Sequence, residues 1–243
     1  MKALVLAAGR SLRIRAVAGD LPKPLLAVAG RPILEHTLRW LAVSGVTDIW
    51  INLHYRGDLV RAHVGTGERF GVRVRYSEEE PILGTAGAVR KLAPEWDDDF
   101  LVVYGDNLVR FTLADLVAAH RRRRWAVTLA LFDPARNPHT GIAGGGVVVD
   151  AGGRVTSFVE GAPAPPGARA LINAGVYVIQ PSIVPRIPDG VVTDFGHDVF
   201  PGLLAEGVPF GGHVIDGYCL GLDAPEPLER GLELIRRGEV QLA

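Results

Sequence analysis

Six apolar residues, Ala3 to Ala8, open the chain and stop at Gly9, where a loop carrying Arg10, Arg13 and Arg15 begins. A run this short, bounded by glycine and arginines, reads as a strand buried on both faces, which implies a parallel sheet covered by helices. Past the arginines, Lys23 stands between Pro22 and Pro24 before the sequence turns apolar again. Strand, basic loop and a lysine with φ fixed on either side make an anion site. Backbone N–H groups at the end of a strand can turn toward a ligand, and guanidinium forks match phosphate oxygens. A plain βα connection with a solvated basic face accounts for the loop but not for Pro-Lys-Pro. G-x-G-x-x-G is absent, which sets aside a dinucleotide-binding loop as first choice.

At 243 residues and 48% hydrophobic, the chain can bury a sizeable core, and one domain over 1–243 is expected. Lys and Arg number 26 against 27 Asp and Glu, so no global field draws nucleic acid or an anionic membrane. Cys219 is the single cysteine, which excludes an intramolecular disulfide and a cysteine-based zinc cluster. The opening apolar run lacks a small-residue cleavage site, and no run approaches spanning length. The expectation is cytoplasmic; self-association stays open.

The first half alternates strands and helices. Pro32 to Ser44 has helical spacing and ends before Gly45, Val46 to Leu53 is a strand, Gly57 to Val64 a helix, and Val72 to Tyr76 a strand. Thr85 to Leu92 is a helix, Phe100 to Tyr104 a buried strand, and Thr112 to Arg123 a helix whose terminal arginines suit its dipole. Strands then dominate, from Trp125 to Phe132, Gly145 to Asp150, Arg154 to Glu160 and Ala170 to Ile179, joined by Gly/Pro turns and read as antiparallel additions. A helix ending at Gly207, two last strands (the second Tyr218 to Asp223) and a helix from Pro225 to Arg237 close the chain. No internal repeat or low-complexity stretch is present.

Four further stretches carry chemistry. Arg75 to Val89 places Glu78, Glu79 and Glu80 ahead of Gly84-Thr85-Ala86-Gly87, where glycines leave backbone open to a flat ligand or merely start a helix. Asp106 and Asn107 follow a buried strand at the end where open α/β sheets place ligands, although Gly-Asp-Asn also makes turns. Glu160 ends one strand, and Asn173 with Gly175 lies inside another, with a surface acid and a backbone-satisfied amide as the plain alternatives. Asp223 shares a strand face with Gly221 if the last strand runs to 223, and alternatively caps the closing helix.

Together these residues resemble the sugar-1-phosphate nucleotidylyltransferases, whose usual form is LAAG-x-G-T-R-L-R followed by PKP. Gly9, Arg13 and Lys23 match; Ser11 and Leu12 replace the second glycine and the threonine. The likeness covers nearly the whole chain and is nearest in texture to mannose- and heptose-1-phosphate guanylyltransferases. It implies an α/β, Rossmann-like GT-A-type fold, mainly parallel, with antiparallel strands on the sugar side, split into a nucleotide-binding half (1–124) and a sugar-phosphate half (125–243). It implies an NTP and a sugar-1-phosphate as partners, Mg²⁺ as cofactor, and Arg13, Lys23 and Asp106 as catalytic residues. Ala7, Ala8, Gly9, Glu79, Gly84 and Thr85 would hold the nucleotide, and Asn107, Glu160, Asn173 and Gly175 the sugar phosphate. Glu79 falls where uridylyl and thymidylyl members carry glutamine; a carboxylate only accepts, and guanine offers two donors, so GTP is favoured. Gly161 replaces the family's sugar-phosphate lysine, and Gly221 its second metal aspartate, for which Asp223 is the candidate substitute. These departures keep a second reading open, a non-catalytic homologue that binds nucleotide and regulates a partner. A glycosyltransferase ranks third, since D-x-D is absent.

Overall fold

The computed structural model describes residues 1–9, 14, 19–141, 145–161 and 171–242. In chain order the strands are β1 (Lys2–Leu6), β2 (Ala27–Val28), β3 (Arg31–Pro32), β4 (Asp48–Leu53), β5 (Arg73–Glu78), β6 (Phe100–Tyr104), β7 (Asn107–Arg110), β8 (Val127–Phe132), β9 (Gly146–Val149), β10 (Val155–Val159), β11 (Leu171–Ile179), β12 (Gly211–Val214) and β13 (Tyr218–Gly221). The α-helices are α1 (Ile33–Val43), α2 (Gly57–Val64), α3 (Gly84–Lys91), α4 (Leu113–Arg123), α5 (Phe200–Ala205) and α6 (Pro225–Arg236).

The main sheet runs β10-β9-β11-β6-β1-β4-β5, with β8 paired to β11 and β12 to β8. β6, β1, β4 and β5 are mutually parallel, and β11 crosses antiparallel to β6, joining the two halves. Side-chain alternation explains why this part is buried on both faces. Ala3 and Val5 of β1, with Leu101 and Val103 of β6, enter one core cluster; Leu4, Leu6, Phe100 and Val102 enter the other. A third cluster packs Ile14, Leu26, Leu108, Tyr218 and Leu222 under α6 through Leu228.

Helix α1 ends where Gly45 takes φ +79°, with its N–H bonded to Ala42 O and that of Val46 to Leu41 O, the left-handed stop that glycine permits. β12 pairs with β8 in parallel, because the chain returns from α5 and enters the sheet beside β8 in the same sense. Asn107 opens a strand, β7, which pairs with β13 in a separate two-stranded sheet. One reading needs correction. The last strand stops at Gly221, whose carbonyl is taken by the Thr140 hydroxyl at 2.6 Å, so Asp223 lies beyond the sheet and face alternation does not govern it.

Candidate functional site

The C-terminal ends of β1, β4, β5 and β6 open together on a cleft of about 350 Å³, where a parallel sheet presents its loops to a ligand. Ala8, Gly9, Glu79, Gly84, Thr85 and Asp106 line it, as do three residues that sequence reasoning misses, Asn52, Tyr104 and Asp194. Ala7 borders the same loop, its N–H donated to Asn52 Oδ1 at 2.7 Å. Arg13, with Arg10, Ser11, Leu12 and Arg15, lies outside the described residues, whereas Ile14 between them is fully buried against the α6 cluster.

Lys23 is the centre of the charged end of the site. Pro22 precedes a 3-10 turn over Lys23–Leu25, and the Leu25 N–H closes back on Pro22 O at 2.8 Å, which holds the lysine backbone. Its side chain is buried, and Nζ bonds Asp106 Oδ2 at 3.1 Å and also Asp223 Oδ1. Asp223 therefore does not serve as the cap of α6. Ala224 occupies that position, and the aspartate is turned inward to the ammonium. Two carboxylates from distant segments converging on one cation form a donor set that suits a divalent ion bridging to phosphates, the usual mode for Mg²⁺. The buried Cys219 thiol beneath them is pushed up to about 12, by burial first and then by Asp223 and Asp106.

On the opposite wall, Glu79 is 2% exposed, with Oε1 accepting from Asn52 Nδ2 at 2.8 Å and Oε2 from the Leu83 N–H at 2.9 Å. The glycines of the next segment start helix α3, one of the two uses expected of them. Gly84 has φ +79°, and a Cβ there would lie 2.5 Å from Thr193 O, so bareness at 84 also admits the 193 backbone. The N–H groups of Ala86 and Gly87 donate to Thr193 O at 2.9 and 3.1 Å, and that of Thr85 reaches Asp194 Oδ1 at 3.3 Å. The Thr85 hydroxyl donates to the same carboxylate at 2.8 Å and accepts from the Phe195 N–H at 2.9 Å. Asp194 precedes a π-helical turn, Phe195–Val199, of the kind that often marks functional sites.

The second half supplies the remaining wall. β11 bulges between Asn173 and Tyr177, and Gly175 sits in the bulge at φ +72° with the Tyr104 ring against it. Asn173 is buried with both ends of its amide engaged, Nδ2 donating to the Tyr177 hydroxyl at 2.7 Å and Oδ1 accepting from the Gly175 N–H at 3.0 Å. Tyr104 packs edge-on against the Tyr177 ring with centroids 5.8 Å apart, and burial pushes its hydroxyl up to about 12. Glu160 is half-buried next to Gly196; burial first, then the Asp194 charge, hold its carboxyl above the ordinary range, against His197. Asn107 pairs with Gly221, which brings its strand start beside the Asp223 segment. Gly161, in the turn after β10, is exposed at φ +69° with open space around it.

Signals for the missed residues exist. Asn52 interrupts the otherwise apolar end of Asp-Ile-Trp-Ile-Asn-Leu, and Asp194 stands where a helix cap is expected before the run leading to Phe200.

A family model described as Nucleotidyl transferase matches residues 2–218. Over 241 residues the chain is 35% identical to the mannose-1-phosphate guanylyltransferase of Mycobacterium tuberculosis, covering 97% of this chain and 65% of that protein. It is 32% identical over 223 residues to the UTP–glucose-1-phosphate uridylyltransferase of a Synechocystis species, covering 86% and 57%. The chain thus spans less than two thirds of the length of these curated relatives. Among solved structures, HddC from Yersinia pseudotuberculosis superposes with a TM-score of 0.80 at 23% identity, covering 96% of this chain and 99% of that one. HddC has also been solved in complex with GMP-PN, with a TM-score of 0.79. A putative glucose-1-phosphate thymidylyltransferase from Bacillus anthracis superposes at 0.81 and 22% identity, covering 100% and 97%. At these identities the structural likeness speaks to the fold.

Proposed function

The chain belongs to the nucleotidyl transferase family, and from that premise we propose that it transfers a nucleotidyl group from an NTP, GTP favoured, to a sugar-1-phosphate of the mannose or heptose type. An oxygen of the sugar phosphate forms a bond to the α-phosphorus in line with the α–β bridging oxygen, whose bond breaks as pyrophosphate leaves. The protein forms no covalent bond; it positions the reactants and offsets charge.

The observation that carries this reading is the convergence of Lys23, Asp106 and Asp223 beside the Gly9 loop at the strand ends. Lys23 meets phosphate charge from a fixed, buried position, and Arg13 stabilises the leaving pyrophosphate. Mg²⁺, when bound by Asp106 and Asp223, neutralises phosphate charge there. Asp223, two residues beyond Gly221, supports this reading as the second carboxylate, since it meets the same ammonium as Asp106. Ala8, Gly9, Gly84 and Thr85 border the nucleotide. Glu160, Asn173, Gly175 and Asn107 border the sugar phosphate, Asn173 acting through the bulge it holds.

GTP is favoured because Glu79 lines the cleft as a carboxylate, which only accepts, and because a relative named as a guanylyltransferase accompanies the uridylyltransferase. The test is a pyrophosphate-release screen of four NTPs against mannose-, glucose- and heptose-1-phosphates with Mg²⁺. Release that is fastest with GTP is expected. Ligand-induced thermal stabilisation without release in any pairing would replace the enzyme by a nucleotide-binding homologue.

A further inference from the structure

We propose that Asn52 is a positioning residue for base selection: it fixes the hydrogen-bond polarity of Glu79, so that the Asn52–Glu79 pair, not Glu79 alone, decides which bases the cleft accepts. The direction of the preference rests on the guanylyl reading above; the coupling between the two residues does not.

The orientation of the Asn52 amide follows from its neighbours. A backbone N–H can only donate, so the atom of Asn52 that faces Ala7 at 2.7 Å must be the oxygen. The Nδ2 group then faces Glu79 Oε1 at 2.8 Å as a donor. From the other side the Leu83 N–H donates to Oε2 at 2.9 Å. Both oxygens of Glu79 thus meet donors, and the His54 ring nitrogen, 2.8 Å from Glu79 O, holds the backbone in place. Asn52 and Glu79 are 3% and 2% exposed, so water does not relieve a mismatch. What Glu79 turns to the cleft can only accept. A ring N–H with an exocyclic amine satisfies it; a carbonyl does not.

Glutamine at position 79 would break this arrangement. With its oxygen toward Leu83, its amine meets the amine of Asn52. With its oxygen toward Asn52, its amine meets the Leu83 N–H. Turning Asn52 over moves the conflict to the Ala7 N–H, so no orientation satisfies all three contacts. Aspartate at 52 alone brings two carboxylates together. The paired exchange N52D with E79Q satisfies every contact: Ala7 donates to the new carboxylate, the glutamine amine donates to its other oxygen, and Leu83 donates to the glutamine oxygen. Residue 79 then shows the cleft a donor as well as an acceptor, the face that suits uracil, whose one N–H lies between carbonyls.

The experiment is a double-mutant cycle on the full chain with N52D, E79Q and N52D/E79Q. It reads thermal melting without nucleotide, and pyrophosphate release from GTP and UTP with mannose-1-phosphate and Mg²⁺. Each single exchange is expected to melt below the parent and to lose about tenfold or more in kcat/KM with GTP. The double variant is expected to melt above both singles and to exceed E79Q about tenfold with UTP, its GTP:UTP ratio falling. Additive melting losses, with the double variant below both singles, overturn the coupling. If a single exchange is insoluble, recovery by the double supports the pairing, and a double as insoluble as the singles counts against it. A parent that prefers UTP, or that releases no pyrophosphate, overturns the guanylyl or the enzymatic reading instead, and the melting cycle still decides the coupling.

Discussion

Lys23 and Asp223, 200 positions apart, are joined by a hydrogen-bonded ion pair, and the same ammonium reaches Asp106, which lines the cleft, at 3.1 Å. Lys23 holds together two carboxylates, one after β6 and one after β13, the pair proposed above to hold Mg²⁺.

Asp223→Asn tests what the pair does. The amide keeps the shape and can still accept from Lys23, but it removes one negative charge and is a poor Mg²⁺ ligand. Turnover at saturating substrates should fall, and the Mg²⁺ concentration for half-maximal rate should rise. Because Asp106 still neutralises the buried ammonium, the stability loss should be modest, about 1–3 kcal/mol. Undiminished turnover with unchanged Mg²⁺ dependence would restrict Asp223 to a structural role.

Gly175→Ala separates packing from backbone strain. A Cβ at 175 would lie 2.8 Å from the Tyr104 ring, which packs edge-on against the buried Tyr177 ring and has little room to swing away. The φ of +72° adds strain. Overpacking and left-handed backbone together cost roughly 2–4 kcal/mol. Gly161→Ala, with a similar φ of +69° and open space around it, should cost only about 1 kcal/mol. Comparable urea midpoints for the two variants would show that Tyr104 yields, and that the bulge does not depend on it.

The contrast between these glycines also shows what is legible in the sequence. Elements with unbroken periodicity are read closely: Phe100–Tyr104 and Gly57–Val64 match their expected bounds. Lys23, Asp106 and Glu79 stand out because loops following parallel strands point one way. What pairs with what over long separations leaves no local trace. β7 with β13, Asp223 with Lys23, and the Thr193 backbone pressed against Gly84 depend on chain segments that meet only after folding. Asn52 is hidden for another reason: one amide in an apolar strand looks like a pattern defect until its two partners, Ala7 and Glu79, are known.

Arg13 and its sequence neighbours Arg10 and Arg15 offer a direct comparison. Arg13 and Lys23 match phosphate positions of the family, Arg10 and Arg15 do not. A contact to the leaving group is felt in the transition state, so Arg13→Ala should lower kcat and kcat/KM together, by about 10²-fold or more. Arg10→Ala and Arg15→Ala should stay within a few-fold of the parent. Near-normal turnover in Arg13→Ala at saturating substrates would remove it from the pyrophosphate site.

Glu160 gives a pH signature. Its folded-state carboxyl titrates above the ordinary glutamate value of 4.5, because burial and Asp194 disfavour the anion more than His197 favours it. The folded protein therefore binds this proton more tightly than the unfolded chain. The stabilising contribution is complete below the unfolded value and is lost as pH rises through the folded one. Glu160→Gln removes that dependence, so its melting temperature should gain on the parent as pH rises from 4.5 toward neutrality, while sugar-phosphate affinity falls. Parallel melting profiles across that range would mean that burial does not govern this group.

Gly161→Lys tests the sugar-phosphate grip. The family's lysine is replaced here by a glycine in an exposed turn at φ +69°, where a Cβ would meet nothing within 4 Å. The left-handed backbone costs about 1 kcal/mol, but that cost is the same with and without ligand and appears in stability alone. The gained contact appears in binding. A charge-assisted hydrogen bond at a partly exposed site is worth about 1–2 kcal/mol, which is roughly 5- to 30-fold in KM for mannose-1-phosphate. The KM for the nucleotide should stay where it was, and melting should drop by a few degrees, roughly 2–4 °C. If the sugar-phosphate KM does not move, and the parent already saturates at micromolar concentrations, another cation does this work. Arg169 is the candidate by sequence position, although it lies outside the described residues, and Arg169→Ala would then raise the same KM that Gly161→Lys failed to lower.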